Sequence, residues 1–223
     1  MSLNLFIQAI AKFLLGVLLV GVLIFWPAGS LGYTQGWLLM AILFIPMFGA
    51  GLVMMAKNPG LLKTRLNAKE KLHDQGILIK LGGLMFLCGF IVAGLNFRFG
   101  WYILPMWASL AAAALFLIAY LLYAEVLREN TYLSRTIEVQ AGQHVIDTGL
   151  YGIVRHPMYS ATLLLFGAMP LVLGSLYAAV IFLAYPAIII GRIKSEEAFL
   201  ERELNGYRAY KQKVKYRLIP FIW

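Results

Sequence analysis

Charged residues fall at long intervals along this chain, and the stretches between them are almost wholly apolar. Residues 13–56, 81–97, 99–124 and 157–191 contain no Asp, Glu, Lys or Arg. A helix needs about 20 consecutive apolar residues to cross the hydrocarbon core of a bilayer. The first run is long enough for two crossings, and Trp26-Pro27-Ala28-Gly29-Ser30-Leu31-Gly32 interrupts it with turn chemistry. It predicts spans over about 5–25 and 36–56. A third span is expected over about 76–97, with Lys80 free to snorkel, and a fourth over about 101–124. The last run carries Pro170 and Leu173-Gly174-Ser175 at its middle. It predicts a helical hairpin of two short or tilted spans, about 158–173 and 176–192. Residues 1–30 read as a first span rather than a cleaved signal peptide. They lack a basic start, Lys12 interrupts them, and the apolar stretch is too long.

Composition agrees. The chain is 61% hydrophobic and 13% charged, against about 45–50% and about 25% for soluble domains. That excess of apolar surface cannot be buried inside one small water-soluble core. The expected fold is therefore an all-α integral membrane protein of about six transmembrane helices, with a C-terminal helical hairpin and a cytoplasmic catalytic segment. A soluble enzyme, a disordered chain and a disulfide scaffold are excluded. Cys88, in the apolar run Leu87-Cys88-Gly89-Phe90, is expected to be a small buried hydrophobe.

The net charge of +9 changes meaning once its distribution is seen. Lys57, Lys63, Arg65, Lys69 and Lys71 lie in the 57–74 loop, and Arg128, Arg135 and Arg155 lie in 125–157. Eight more basic residues, Arg192 to Arg217, lie in the tail. The opposite connections carry only Arg98. The positive-inside rule places the three basic segments, the active site and both termini in the cytoplasm of a multi-pass protein. The charge is thus accounted for by membrane lipids, and nucleic acid is not an expected partner. Leu61, Leu62, Leu66 and Leu72 alternate with basic residues, which suggests an interfacial amphipathic helix in 57–74. Two regions follow: a four-span part over 1–124, and a catalytic part over 125–223 that holds the hairpin 158–192 and the tail.

Polar variety is concentrated in two segments, one leading into the hairpin and one leaving it. The first runs from Gln140 through Gln143-His144-Val145-Ile146 to Tyr151, Arg155-His156-Pro157 and Tyr159. Pro157 disfavours helix at His156 and is suited to start a new one, so Arg155 and His156 are expected at the mouth of the hairpin. A helix start there suits a carboxylate, and a polar interface cap is the plainer alternative. In the second segment Arg192 and Glu196 share a helix face four residues apart, whereas Glu197 points elsewhere. No phosphate loop, dinucleotide fingerprint, nucleophile elbow or zinc-ligand spacing is found, so no metal is expected.

Gly149-Leu150-Tyr151, Arg155-His156-Pro157-Met158-Tyr159, Arg192 with Glu196-Glu197, and Tyr207 and Tyr210 together resemble the isoprenylcysteine carboxyl methyltransferase family over about residues 125–223. The membrane phospholipid methyltransferases share the pattern more loosely. Ala161 stands where many members have glycine. The resemblance implies S-adenosyl-L-methionine as cofactor, bound by Gln140, Gln143, His144, Val145, Ile146, Tyr151, His156, Pro157, Tyr159 and Glu196. It implies that Glu196 meets the amino group and that Arg192 faces the acceptor. Tyrosine ring faces suit the sulfonium cation and Glu196 suits the ammonium. A carboxylate acceptor needs no base and can be clamped by Arg192; a thiol or amine needs a proton removed, with His156 the nearest candidate. The implied acceptor is a lipophilic or lipidated carboxylate, able to enter sideways from the bilayer. A phospholipid amine and a thiol stay open. From other classes, a sterol-reductase-like enzyme using NADPH and a non-catalytic lipid-binding protein also stay open. The sequence sets no oligomeric state.

Overall fold

The computed structural model describes residues 3–66, 73–134 and 136–223. It is helical throughout. Among the described residues there is no β-strand, only an isolated bridge between Ile103 and Ser175. The helices are α1 (Leu3–Ala28), α2 (Thr34–Lys57), α3 (Pro59–Leu66), α4 (His73–Phe99), α5 (Met106–Glu129), α6 (Pro157–Val172), α7 (Leu176–Phe182), α8 (Tyr185–Glu203) and α9 (Tyr207–Lys213). A 3₁₀ turn covers Gly149–Gly152.

Among the described residues, five helical segments are long and apolar enough to cross a membrane: α1, α2, α4, α5, and Leu176–Glu203, which joins α7 and α8. The sixth expected span, α6, has only 16 residues, about 24 Å of helix at 1.5 Å per residue. The first half of the hairpin is therefore short against a hydrocarbon core of about 30 Å. The second half is broken where a continuous span was expected. Pro186 has no N–H and crowds the carbonyl four residues earlier, so α7 ends at Phe182 and α8 restarts with proline in its first turn. The fourth span begins at Met106 rather than near 101, because Pro105 occupies its cap. Cys88 is half-buried rather than buried. A short helix, α3, forms within the 57–74 segment with Leu61 and Leu62 buried and Lys63 exposed, but it is only weakly amphipathic. Lys69, Lys71 and Leu72 lie outside the described residues, as does Arg135.

One buried cluster runs through the bundle, from Ile24 and Leu39 through Phe90 and Phe116 to Val172 and Ile189. The two regions expected from sequence therefore share a core. Gly94 sets the α1–α4 crossing: a Cβ there would lie 2.6 Å from the Ile24 carbonyl oxygen and 2.9 Å from the Ala28 nitrogen. At one end of the bundle, Tyr33 donates its hydroxyl to the Leu173 carbonyl, and Leu104 N–H donates to Gly174 O at 2.9 Å. At the other end, Gln75 Nε2 reaches Arg192 O at 3.4 Å and Arg65 meets the Tyr123 hydroxyl. Tyr185 Oη bonds Thr162 Oγ1 at 3.0 Å, and Tyr159 Oη bonds Glu196. Those contacts show that α8 runs back antiparallel to α6. The hairpin mouth thus gathers both polar segments at that second end.

Candidate active site

The segment after α5 folds over the hairpin mouth, held largely by side chains bonding to main chain. At the end of α5 the Glu129 carboxylate accepts from Thr148 Oγ1 at 2.9 Å and Leu150 N–H at 3.1 Å. Gly149 makes this approach possible, since its φ is +49° and a Cβ would collide with that carboxylate. Asn130 Nδ2 donates to Tyr151 Oη at 3.0 Å. Gln140 Nε2 donates to Tyr132 O at 2.7 Å, and the Gln140 N–H donates to Gln143 Oε1 at 2.8 Å. Tyr132 Oη lies 3.2 Å from His144 Nδ1.

Pro157 opens α6 and His156 caps it. The N–H groups of Arg155 and His156 do not face a ligand. They donate to Tyr216 O and Arg217 O, both at 2.9 Å, so the tail after α9 straps across the hairpin mouth. The Arg155 guanidinium donates through Nη1 to Val214 O at 2.8 Å and Lys215 O at 2.7 Å. Ser160 Oγ donates to Leu218 O at 2.6 Å.

Glu197 is the centre of this assembly. Its side chain is 4% exposed and accepts from Arg155 Nε at 2.7 Å, His156 Nε2 at 3.2 Å and Arg217 Nε at 3.1 Å. Lys211 Nζ stands 3.8 Å away. A carboxylate can only accept, so the imidazole carries its proton on Nε2 and turns Nδ1 toward Glu196, 4.0 Å off. A buried carboxylate is costly to desolvate unless several donors surround it, which is the arrangement here.

Glu196, one residue earlier, faces a cavity instead. Its Oε2 accepts from Tyr159 Oη at 2.7 Å, and Arg192 Nε donates to the same hydroxyl at 3.3 Å. The cavity encloses about 860 Å³ of empty space, part of it continuous with solvent. Gln143, His144, Val145, Ile146, Tyr151, His156, Tyr159, Arg192 and Glu196, all singled out from sequence, line it. Gln140 and Pro157 do not line it. Gln140 braces the loop and Pro157 begins the helix.

The wall also contains residues not expected there, among them Asn130, Tyr132 and Tyr207. Tyr207 is buried, and its hydroxyl has no hydrogen-bond partner among the described residues. Burial, reinforced by the nearby Glu197, pushes that hydroxyl well above the ordinary tyrosine range, so it stays a neutral donor. Tyr210 instead donates to Tyr151 O at 2.8 Å and closes the cavity behind. Only the repeated tyrosine spacing at 207 and 210, already part of the motif, could have pointed to them.

A second cavity, with about 880 Å³ of empty space, lies on the bundle side. Leu78, Ile79 and Gly82 of α4 and Ile188 and Ile189 of α8 give it an apolar wall. Ser134, Thr136, Met158, Tyr159 and Arg192 belong to both cavities. Arg65, Tyr123, Thr162 and Tyr185 give the second cavity a polar side as well, so a polar pocket and one with a single apolar wall meet at Tyr159 and Arg192.

Two comparisons with known proteins bear on this site. Over 91 residues, 40% of this chain, the sequence is 29% identical to Delta(14)-sterol reductase TM7SF2 of Mus musculus; the aligned part is 22% of that protein's length. Residues 110–202 match the isoprenylcysteine carboxyl methyltransferase (ICMT) family, a span that begins in α5 and ends in α8 beyond Glu196 and Glu197, and the match supports a membrane methyltransferase.

Proposed function

We propose that the chain is an S-adenosyl-L-methionine-dependent methyltransferase acting at the cytoplasmic face of a membrane on a lipophilic acceptor that presents a carboxylate, as in isoprenylcysteine carboxyl O-methylation. The observation that carries this reading is the junction of the two cavities. A polar pocket suited to a charged cofactor adjoins, at Tyr159 and Arg192, a cavity whose α4–α8 wall is apolar and would take a bilayer-dissolved tail.

The pocket's groups fit the cofactor. Glu196 offers a carboxylate to an ammonium, and Tyr151 and Tyr159 offer ring faces to a sulfonium. The Tyr207 hydroxyl, without a partner among the described residues, supplies a buried donor that a ligand in the pocket would satisfy. Gln143, His144, Val145 and Ile146 complete the wall. When bound, S-adenosyl-L-methionine supplies an electrophilic methyl group. Arg192 holds the acceptor carboxylate at the boundary between the cavities, and no base is needed because that carboxylate is already ionised. Met158 and Tyr159 keep water from the boundary, and holding the acceptor in line supplies most of the catalysis. His156, bonded through Nε2 to Glu197, holds the hairpin mouth on which Tyr159 and the pocket wall are built.

The partial identity to a sterol reductase gives a second reading, in which the pocket holds NADPH. Among the described lining residues the guanidinium groups are Arg155 and Arg192, and Arg155 is already engaged by Glu197. The Glu196 carboxylate in the wall suits an ammonium and would repel a phosphate, which favours the first reading.

Calorimetric titration of detergent-purified protein with S-adenosylhomocysteine, and in parallel with NADPH, separates the two. Binding of S-adenosylhomocysteine alone is expected. Glu196→Ala should weaken it about ten- to a hundred-fold, the worth of a charge-assisted hydrogen bond, with the fold intact. Unchanged binding in that variant sinks the site assignment, and binding of NADPH alone makes the reductase the better reading.

A further inference from the structure

The tail does not end as a solvated cytoplasmic strand. It descends along α6. Tyr216 and Arg217 pair with Arg155 and His156 outside the helix, and Leu218 then pairs with Ser160, one turn inside it. The strap has by then moved about 6 Å along the helix axis, toward the apolar part of the bundle. Leu218 is buried in the same cluster as the membrane helices, and Trp223 packs against that cluster.

Between them the chain doubles back. Arg217, Leu218 and Ile219 all donate N–H groups to the Trp223 main-chain oxygen, and Trp223 N–H returns to Ile219 O at 3.1 Å. The Arg217 guanidinium lies 4.9 Å from the Trp223 ring centroid. This compact turn carries its large apolar side chains on the outside. Phe221 is 87% exposed and Ile222 76%. Phe221 sits at φ 65°, a region that side-chain-bearing residues rarely adopt, so the outward ring is held there by the turn.

We propose that Ile219–Trp223 is an interfacial anchor that inserts Phe221 and Ile222 into the boundary between lipid headgroups and acyl chains. The exposed apolar tip lies between Leu218 and Trp223, which pack on the cluster of the membrane helices beside the start of α6. The exposed Lys215 precedes it and complements lipid phosphate, and Tyr216 adjoins it as a belt aromatic does, its ring 5.3 Å from that of Phe221. The anchor fixes the strap that carries Arg217 to Glu197, so the membrane itself becomes part of what holds the site closed. This inference rests on the membrane-spanning bundle and is independent of the methyltransferase reading.

The test uses the full chain in nanodiscs of phosphatidylcholine and phosphatidylglycerol, with Cys88→Ala as background. Spin labels are placed singly at Phe221→Cys, Ile222→Cys and Lys213→Cys. Power saturation then compares relaxation by dissolved oxygen, which concentrates in acyl chains, with relaxation by a water-soluble nickel chelate. Oxygen should dominate at 221 and 222 and the chelate at 213, a reversal between positions eight residues apart. Chelate dominance at both 221 and 222 overturns the proposal. So does shielding from both agents, which would assign the tip to a protein contact.

Discussion

The α1–α2 pair and the assembly around Glu197 are held together in opposite ways. In α1 only Ile24 and Ala28 are buried, and most of its leucines point outward. Its contacts are mostly surfaces, such as the Gly94 crossing and the edge-on Phe13–Phe44 pair at 5.8 Å, with the Lys12 Nζ bond to Leu66 O at 2.7 Å a directed exception. Around Glu197 nearly every contact is a directed bond with a donor and an acceptor. Surrounded by lipid, helices gain little from hydrophobic burial against one another, so close fit sets their positions. Where the chain leaves the helical bundle, its loops have no internal ladder and need side-chain partners for their backbone. The first kind of region tolerates sliding; the second does not, and it is the one that must hold groups at fixed distances.

The largest effect is expected from Glu197→Gln. It leaves the Arg155 and Arg217 guanidinium groups without their counter-charge, and removing one partner of a buried ion pair costs about 3–5 kcal/mol. Thermal unfolding in detergent should fall sharply, and S-adenosylhomocysteine affinity should fall with it, because the same carboxylate fixes the tail and His156. A stable variant with normal affinity would mean the directed network is not what holds the site.

The counterpart in the packed region is Gly94→Ala. The added methyl meets α1 backbone rather than a movable side chain, and overpacking of that kind costs about 1–3 kcal/mol. Stability should drop while S-adenosylhomocysteine affinity, measured below the transition, stays within error. Loss of affinity would show that the two regions are mechanically coupled and that the contrast between them is too sharp.

That contrast also explains how much could be read in advance. Charge-free runs marked the helices because each span only has to be apolar and long, a property of contiguous residues. Pro157 and the Arg192–Glu196 spacing were legible for the same local reason. Glu197 was not. Helix geometry correctly placed it off the Arg192–Glu196 face, but what covers that other face arrives from residues 155–156 and 211–217. Glu129, at the end of α5, gave no sign that it would hold Thr148 and Leu150. The break at Leu183–Ala184 lay in plain sight in Pro186, and the uniform hydropathy of the run masked it.

Tyr207→Phe gives a smaller and cleaner effect. The hydroxyl has no partner among the described residues, so its removal should leave thermal stability unchanged or slightly raised. If it donates to a bound cofactor, S-adenosylhomocysteine affinity should fall about five- to ten-fold, the worth of roughly 1 kcal/mol. Unchanged affinity would remove Tyr207 from the site and leave it as packing.

The smallest effect belongs to Asp147→Asn, which sharpens the comparison from within the polar region. Asp147 accepts from Lys213 Nζ at 2.7 Å, a bond resembling those of Glu197 in length, but both side chains are largely in water. The lysine holds the Asp147 carboxyl below its ordinary value. A lowered value in the folded state means that any stabilisation is present above the unfolded value, about 3.9, and is lost as the pH falls through the folded one. Exposed pairs are screened by salt and contribute little. The difference in melting temperature between wild type and Asp147→Asn should therefore be detectable only at low ionic strength and neutral pH. A difference that persisted at high salt would place Asp147 among the rigid directed contacts. Burial would then no longer be what separates the Glu197 network from an ordinary surface ion pair, and the account of why that network alone fixes the site would need a different physical basis.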